Sequence, residues 1–119
     1  GPSRRGIRPS DADDTLDPGS LARFADWYLP GCDEARRRDP DISPAWADLR
    51  GLPPALMTVG TADHLVDDTL VLAARSAAAG NDVDLLVVPD APHGFTAADC
   101  EATSLYRRRL DAFVDRCLR

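Results

Sequence analysis

Two short apolar runs with a helical pattern between them constrain the fold more than any other feature of this sequence. The runs are ALMTV at Ala55–Val59 and DLLVVP at Asp84–Pro89, and neither alternates between apolar and polar residues. Runs of this kind are typical of parallel strands that helices cover on both faces. Val66–Ala79 lies between them with a helical stripe of apolar side chains, and Asp67 and Asp68 favour its positive N-terminal end. The sequence therefore predicts a right-handed strand–helix–strand unit of the α/β class, with parallel strands.

This predicted sheet is too small to be a complete domain. Two further helices are predicted at Ser20–Leu29 and Asp99–Leu118, each capped by its first residue. Two strands and these helices cannot cover both faces and both edges, because an open edge leaves unpaired backbone groups beside apolar surface. We therefore expect residues 20–119 to be part of one larger α/β domain, incomplete without an N-terminal portion that supplies the neighbouring strand. Residues 1–19, rich in Pro, Gly and Asp, are predicted to be an irregular segment.

The charge balance and the cysteines argue against several classes of protein. The net charge of −6 disfavours nucleic acid or an anionic membrane surface as the main partner. No apolar run approaches the roughly 18 residues of a membrane span, and no signal sequence opens the chain, so a cytoplasmic protein is the default expectation. Cys32, Cys100 and Cys117 include no C-x-x-C pair, so neither a disulfide framework nor a zinc site is predicted.

One carboxylate and one imidazole follow the two predicted strands. Asp63 comes just after the glycine turn that ends the first strand, and His93 follows the second strand. An aspartate at such a place can also cap a helix, and a lone histidine can be a plain surface residue. A carboxylate that orients an imidazole, however, lets the imidazole take the proton of a nucleophilic hydroxyl. Asp63 and His93 are therefore candidates for two members of a nucleophilic triad.

The residues around this pair have competing interpretations. His64 follows Asp63 directly, so its side chain points elsewhere, and we predict an exposed loop residue. The nearby acids and histidines have no H-x-x-x-H or comparable spacing, so no metal site and no cofactor are predicted. Leu65, Val66 and Phe95 flank the two candidates and either line an acyl pocket or pack in the core.

Several ordered motifs resemble one known family. They are GLPPAL at Gly51–Leu56, GTADHL at Gly60–Leu65 and PHGF at Pro92–Phe95. In this order they are similar to the C-terminal part of the hormone-sensitive-lipase-like branch of the α/β-hydrolase fold. The resemblance implies that Asp63 is the acid of a catalytic triad and that His93 is its base. It also implies a carboxylic-ester hydrolase that acts on small-molecule esters.

The chain departs from the pattern of that family in its nucleophile. The family carries its serine in a G-x-S-x-G elbow, and none of the serines in this sequence lies in such a motif. Since the triad order in this fold is serine, acid, histidine, we expect the serine and the oxyanion hole in an N-terminal portion, and the isolated chain to be inactive. The alternative is a non-catalytic, truncated hydrolase-like module that acts by self-association or by binding a partner.

Overall fold

A computed structural model describes residues 16–119, so most of the segment predicted to be irregular lies outside the described residues. Short 3₁₀ turns lie at Pro44–Trp46 and Phe95–Ala97. The regular elements are, in chain order, helix α1 at Pro18–Tyr28, helix α2 at Glu34–Arg37, strand β1 at Ala55–Gly60, helix α3 at Val66–Ala78, strand β2 at Val83–Val88 and helix α4 at Glu101–Cys117.

The two strands pair in parallel, with α3 as the connection between them. The register runs from Ala55 opposite Val83 to Gly60 opposite Val88, so both strands end at the same edge of the sheet. This confirms the predicted strand–helix–strand unit. β2 ends at Val88, one residue short of the prediction, because Pro89 has no N–H to give to a strand ladder.

The first and last helices begin at residues other than those predicted. Asp17 caps α1, since its Oδ1 accepts a hydrogen bond of 2.9 Å from the backbone N–H of Ser20, which is already helical. α4 begins after Cys100, whose extended backbone precedes the first turn, so Asp99 is not its cap. In both cases several polar residues stand near the start of the helix, and the backbone conformation decides which of them occupies the capping position.

The core lies between β2, the turn that follows it and α4. Leu86, Val88, Ala91 and Phe95 form a buried cluster, and Ala102 and Tyr106 of α4 pack against it. The ring of Phe95 meets that of Tyr106 edge-on, with centroids 6.4 Å apart. The turn that carries His93 is therefore anchored by apolar packing on both sides of that residue, at Ala91 and Phe95.

Large apolar side chains remain exposed on other surfaces. Val71 of α3 is 53% exposed, and Val87 of β2 is 36% exposed although its neighbours Leu86 and Val88 are buried. Since successive side chains of a strand point to opposite faces, one face of β2 is packed and the other is partly open. No helix within residues 16–119 is long and apolar enough to cross a membrane.

The side chain of Asn81 joins the start of β2 to the loop before β1. Its Oδ1 accepts a 3.0 Å hydrogen bond from the backbone N–H of Leu52, and its Nδ2 donates to the Leu49 carbonyl and, at 3.1 Å, to the hydroxyl of Ser76. We expect Asn81→Ala to lower the free energy of unfolding by about 2–4 kcal/mol, because it removes a hydrogen-bond donor from two buried residues, Leu49 and Ser76. Urea titration followed by circular dichroism measures this loss.

A substitution at the exposed Asp115 of α4 serves as the control, and Asp115→Ala should change the unfolding free energy by less than about 0.5 kcal/mol. An unfolding midpoint of Asn81→Ala equal to that of the unsubstituted chain would contradict the role given to this amide.

An ion pair between Asp84 of β2 and Arg109 of α4 makes stability depend on pH. The Arg109 Nε lies 2.9 and 3.0 Å from the two carboxylate oxygens, and its Nη2 lies 2.6 Å from Oδ1. The Arg109 guanidinium holds the pKa of the Asp84 carboxyl below its ordinary value of 3.8. Because the folded pKa is the lower one, the stabilisation is complete above the unfolded pKa and is lost as the pH falls through the folded pKa.

We therefore expect the urea midpoint to fall between pH 5 and pH 3 by a larger amount in the unsubstituted chain than in Asp84→Asn. The difference between the two curves isolates this carboxylate from the other acids. Since the arginine is partly exposed, 1 M NaCl should reduce that difference. Parallel curves for the two proteins would exclude a contribution from the pair.

Candidate active site

Two loops meet beyond the ends of the strands. Residues 61–65, called here the acid loop, connect β1 to α3, and residues 89–94, called here the histidine loop, follow β2. They lie side by side because the parallel pairing brings Gly60 opposite Val88 at the last position of the ladder. Each loop carries one of the two residues predicted as a catalytic pair.

The side chains of Asp63 and His93 are in direct contact. Nδ1 of His93 lies 2.9 Å from Oδ2 of Asp63, although 30 residues separate the two in sequence. The carboxylate is 8% exposed, whereas the imidazole is 39% exposed. A carboxylate at Nδ1 favours the tautomer with its proton on that nitrogen, which leaves the lone pair of Nε2 to accept a proton.

The second oxygen of Asp63 is also in use. Oδ1 accepts a 2.8 Å hydrogen bond from the backbone N–H of Leu65, and the Asp63 carbonyl accepts one of 3.2 Å from Val66. The predicted alternative, that Asp63 caps a helix, is wrong, since Leu65 occupies the capping position of α3, and the Asp63 carboxylate instead accepts a backbone N–H within the acid loop. With one oxygen held by the acid loop, the other is fixed in direction toward the imidazole.

His64 has a different environment from the one predicted. It is half-buried rather than exposed, so the neighbouring structure covers part of the imidazole. Asp67 and Asp68 lie in the first turn of α3, as predicted from the favourable interaction of acids with a helix N-terminus. Within the described part of the chain no group of three potential ligands is arranged to hold a metal ion.

The three candidate pocket residues differ in burial. Val66 is 2% exposed at the start of α3, and Phe95 is 6% exposed within the core cluster. These values favour the packing alternative for both side chains. Leu65 is half-buried beside Asp63 and stays a prediction as a residue that contacts substrate.

Thr61 and Asp90, which were not among the predicted site residues, connect the two loops. The backbone N–H of Asp90 donates a 2.8 Å hydrogen bond to the hydroxyl of Thr61, and the N–H of Thr61 donates one of 2.9 Å to the carbonyl of Val88. Asp90 has a φ of +57°, a conformation in which aspartate is several-fold enriched among non-glycine residues. No local pattern in the sequence pairs these residues, because the contact forms only when the strands align.

Sequence comparison with known proteins finds relatives that are all hydrolases by name or by fold. A family model described as alpha/beta hydrolase fold matches residues 1–97. An acetyl-hydrolase of Streptomyces hygroscopicus is 41% identical over 78 residues, which are 66% of this chain and 25% of that protein. Carboxylesterase NlhH of Mycobacterium tuberculosis is 39% identical over 84 residues, covering 67% of this chain and 26% of that protein.

Structural comparison points in the same direction. The crystal structure of a hormone-sensitive lipase from a metagenome library superposes with a TM-score of 0.77 at 33% identity, over 87% of this chain and 34% of that one. The chain thus spans about a quarter of the length of these curated relatives and about a third of this solved structure.

Proposed function

This chain belongs to the alpha/beta hydrolase fold family, and we propose from that premise that it is the acid-and-histidine portion of a serine-type carboxylic-ester hydrolase. The observation that carries the proposal is the 2.9 Å contact between His93 Nδ1 and Asp63 Oδ2. An aspartate buried against an imidazole whose other nitrogen is free to exchange a proton is the arrangement that nucleophilic acyl transfer requires. The names of the relatives agree with ester hydrolysis as the class of reaction.

The proposed reaction uses a serine from the portion of the fold that completes this chain. Its hydroxyl oxygen attacks the ester carbonyl carbon while its proton passes to Nε2 of His93. Collapse of the tetrahedral intermediate breaks the bond to the alcohol oxygen, and Nε2 returns the proton to the departing alcohol. A water molecule then repeats the cycle on the acyl-serine, which releases the carboxylic acid and restores the serine hydroxyl.

Asp63 contributes to both halves of this reaction without itself changing protonation. Its Oδ2 holds Nδ1–H, so the imidazole keeps Nε2 directed outward, and its charge stabilises the imidazolium that forms after proton transfer. The burial of Asp63 strengthens this effect, since few water molecules screen the carboxylate.

The completing portion would also cover the open surfaces of the small sheet. Within the described residues β1 pairs only with β2, so one edge of β1 has room for a neighbouring strand. Val71 and Val87 would then be buried beneath further elements, which would remove the apolar exposure they have here. An N-terminal portion of the same fold, from the same gene product or from a second chain, is the proposed partner.

Mixing this chain with such an N-terminal portion, followed by assay of p-nitrophenyl acetate and p-nitrophenyl butyrate, tests the proposal. We expect hydrolysis only when both portions are present, and labelling of the added serine by a fluorophosphonate probe. His64→Ala is the matched histidine control and should retain activity. A stable homodimer of this chain that neither hydrolyses esters nor supports labelling in any mixture would instead favour the non-catalytic module.

A further inference from the structure

The hydroxyl of Thr61 makes one of the contacts between the acid loop and the histidine loop. Oγ1 of Thr61 accepts the 2.8 Å hydrogen bond from the N–H of Asp90. Thr61 lies two residues before Asp63, and Asp90 lies three residues before His93. On either side of this bond the contacts are made by the backbone alone, from Thr61 N–H to Val88 at 2.9 Å and from Ala62 N–H to Ala91 at 3.1 Å.

The backbone around Asp90 has few other contacts that could fix its position, which makes the hydrogen bond to the Thr61 hydroxyl important. Pro89, between Val88 and Asp90, has no N–H and so cannot extend the ladder of β2 toward β1. Asp90 itself has a φ of +57°, which non-glycine residues adopt only when their surroundings stabilise it. Asp90 is exposed, so apolar packing does not fix its conformation. The hydrogen bond to Thr61 is the contact that joins this residue to the acid loop.

We propose that Thr61 is a positioning residue. Its hydroxyl holds the histidine loop at the position in which Nδ1 of His93 remains hydrogen-bonded to Oδ2 of Asp63. This inference rests on the proposed function and names a further residue of the same site. Thr61 does not touch the reacting atoms in this scheme. It affects the reaction by raising the fraction of molecules in which the imidazole is aligned, because an unaligned imidazole cannot take the proton of the serine.

The chain offers a matched pair of variants for the test. Thr61→Val removes the hydroxyl at constant shape, and Thr61→Ser restores it. Thr58→Val makes the same chemical change three residues earlier, at a hydroxyl oxygen that is buried without a hydrogen-bond partner among the described residues. Thr58→Val should therefore leave the contact between Asp63 and His93 unaltered.

The assay is ester hydrolysis by the complete protein that contains these residues. We expect Thr61→Val to lower kcat by about threefold to tenfold with KM unchanged, as follows from losing one hydrogen bond of ordinary strength. Thr61→Ser should recover most of the activity, and Thr58→Val should keep all of it. Unchanged kcat in Thr61→Val, or a loss that Thr61→Ser does not repair, would overturn the proposal.

A second measurement does not depend on turnover. The Nδ1 proton of His93, identified in the NMR spectrum by its loss in His93→Ala, should exchange with solvent faster in Thr61→Val than in Thr58→Val. Equal exchange rates in the two variants would overturn the positioning role. If the unsubstituted protein hydrolyses no ester, the proposed function fails, and this exchange rate still decides whether Thr61 aligns the pair. Thr61→Ala, with a smaller side chain, serves in place of Thr61→Val if the latter does not fold.

Discussion

His93→Ala is expected to lower kcat/KM for short-chain esters by about 10⁴- to 10⁶-fold in the complete enzyme, because the serine then loses the base that takes its proton. Binding of the ester and stabilisation of the oxyanion do not involve this side chain, so a residual reaction above that of water should persist. The measurement is initial rates on p-nitrophenyl butyrate, with His64→Ala as the matched control.

Asp63→Asn should lower kcat/KM by a similar order, and the hydrogen bonds of Asp63 give the reason. Both oxygens of Asp63 accept N–H groups, one from Leu65 at 2.8 Å and one from His93 at 2.9 Å. An asparagine offers one oxygen and one NH₂ group, so one of the two hydrogen bonds must be lost. Where the NH₂ group faces Nδ1, the imidazole is forced into the tautomer with its proton on Nε2, which cannot act as a base.

The pair of variants is more informative than either one. Alanine at position 93 removes the base, whereas asparagine at position 63 keeps the shape of the site and changes its hydrogen-bonding character and its charge. Asp115→Asn on the exposed side of α4 controls for the loss of one negative charge. Undiminished turnover in both Asp63→Asn and His93→Ala would refute the assignment of the site.

Gly60→Ala should have the largest effect on the fold. A Cβ at this position would lie 1.9 Å from the carbonyl oxygen and 2.5 Å from the carbonyl carbon of Ala91, both backbone atoms of the histidine loop. The loop cannot retreat without breaking the hydrogen bonds from the Ala62 N–H to the Ala91 carbonyl and from the Asp90 N–H to the Thr61 hydroxyl. We expect a loss of about 3 kcal/mol or more in the free energy of unfolding, at the upper end of overpacking costs.

Gly80→Ala is the control for this substitution. Gly80 follows α3 with a φ of +91°, yet a Cβ there would meet no atom within 4 Å. The cost should therefore come from backbone strain alone, about 1–2 kcal/mol. Urea unfolding of the two variants separates a steric clash from strain, and ester turnover by Gly60→Ala should be lost along with the alignment of His93. A Gly60→Ala protein as stable as Gly80→Ala would contradict the close approach of the two loops.

The sequence predicted the parts of the fold that depend on local pattern. Continuous apolar runs gave β1 and β2, the stripe between them gave α3, and the short connections required a parallel pair. The bounds of α3 differ from the prediction by one residue at its C-terminal end, since its acidic first turn and the glycine after it are strong local signals. The caps of α1 and α4 were predicted wrongly, because neighbouring polar residues offer nearly equal local alternatives and the backbone selects among them.

The candidate site also has features that the sequence could predict and features that it could not. Residue types and their places after the strands made Asp63 and His93 candidates, because parallel strands present their carboxyl ends at one edge, and the family resemblance of the ordered motifs favoured them over the helix-cap and surface-residue alternatives. Neither the burial of Val66 and Phe95 nor the half-buried state of His64 could be decided from the sequence. Burial depends on contacts between segments distant in the chain, such as the packing of Phe95 against Tyr106 of α4.

The sequence by itself determined which two side chains could work together and on which elements they stand. Only the tertiary structure decided that they meet, with Nδ1 of His93 on an Asp63 oxygen, and that Gly60 and Thr61 hold the loops at that separation. The physical reason is that a strand ladder fixes the ends of its strands, whereas the geometry beyond those ends depends on single contacts across 30 residues of sequence. Such contacts leave no periodic trace in the chain that forms them.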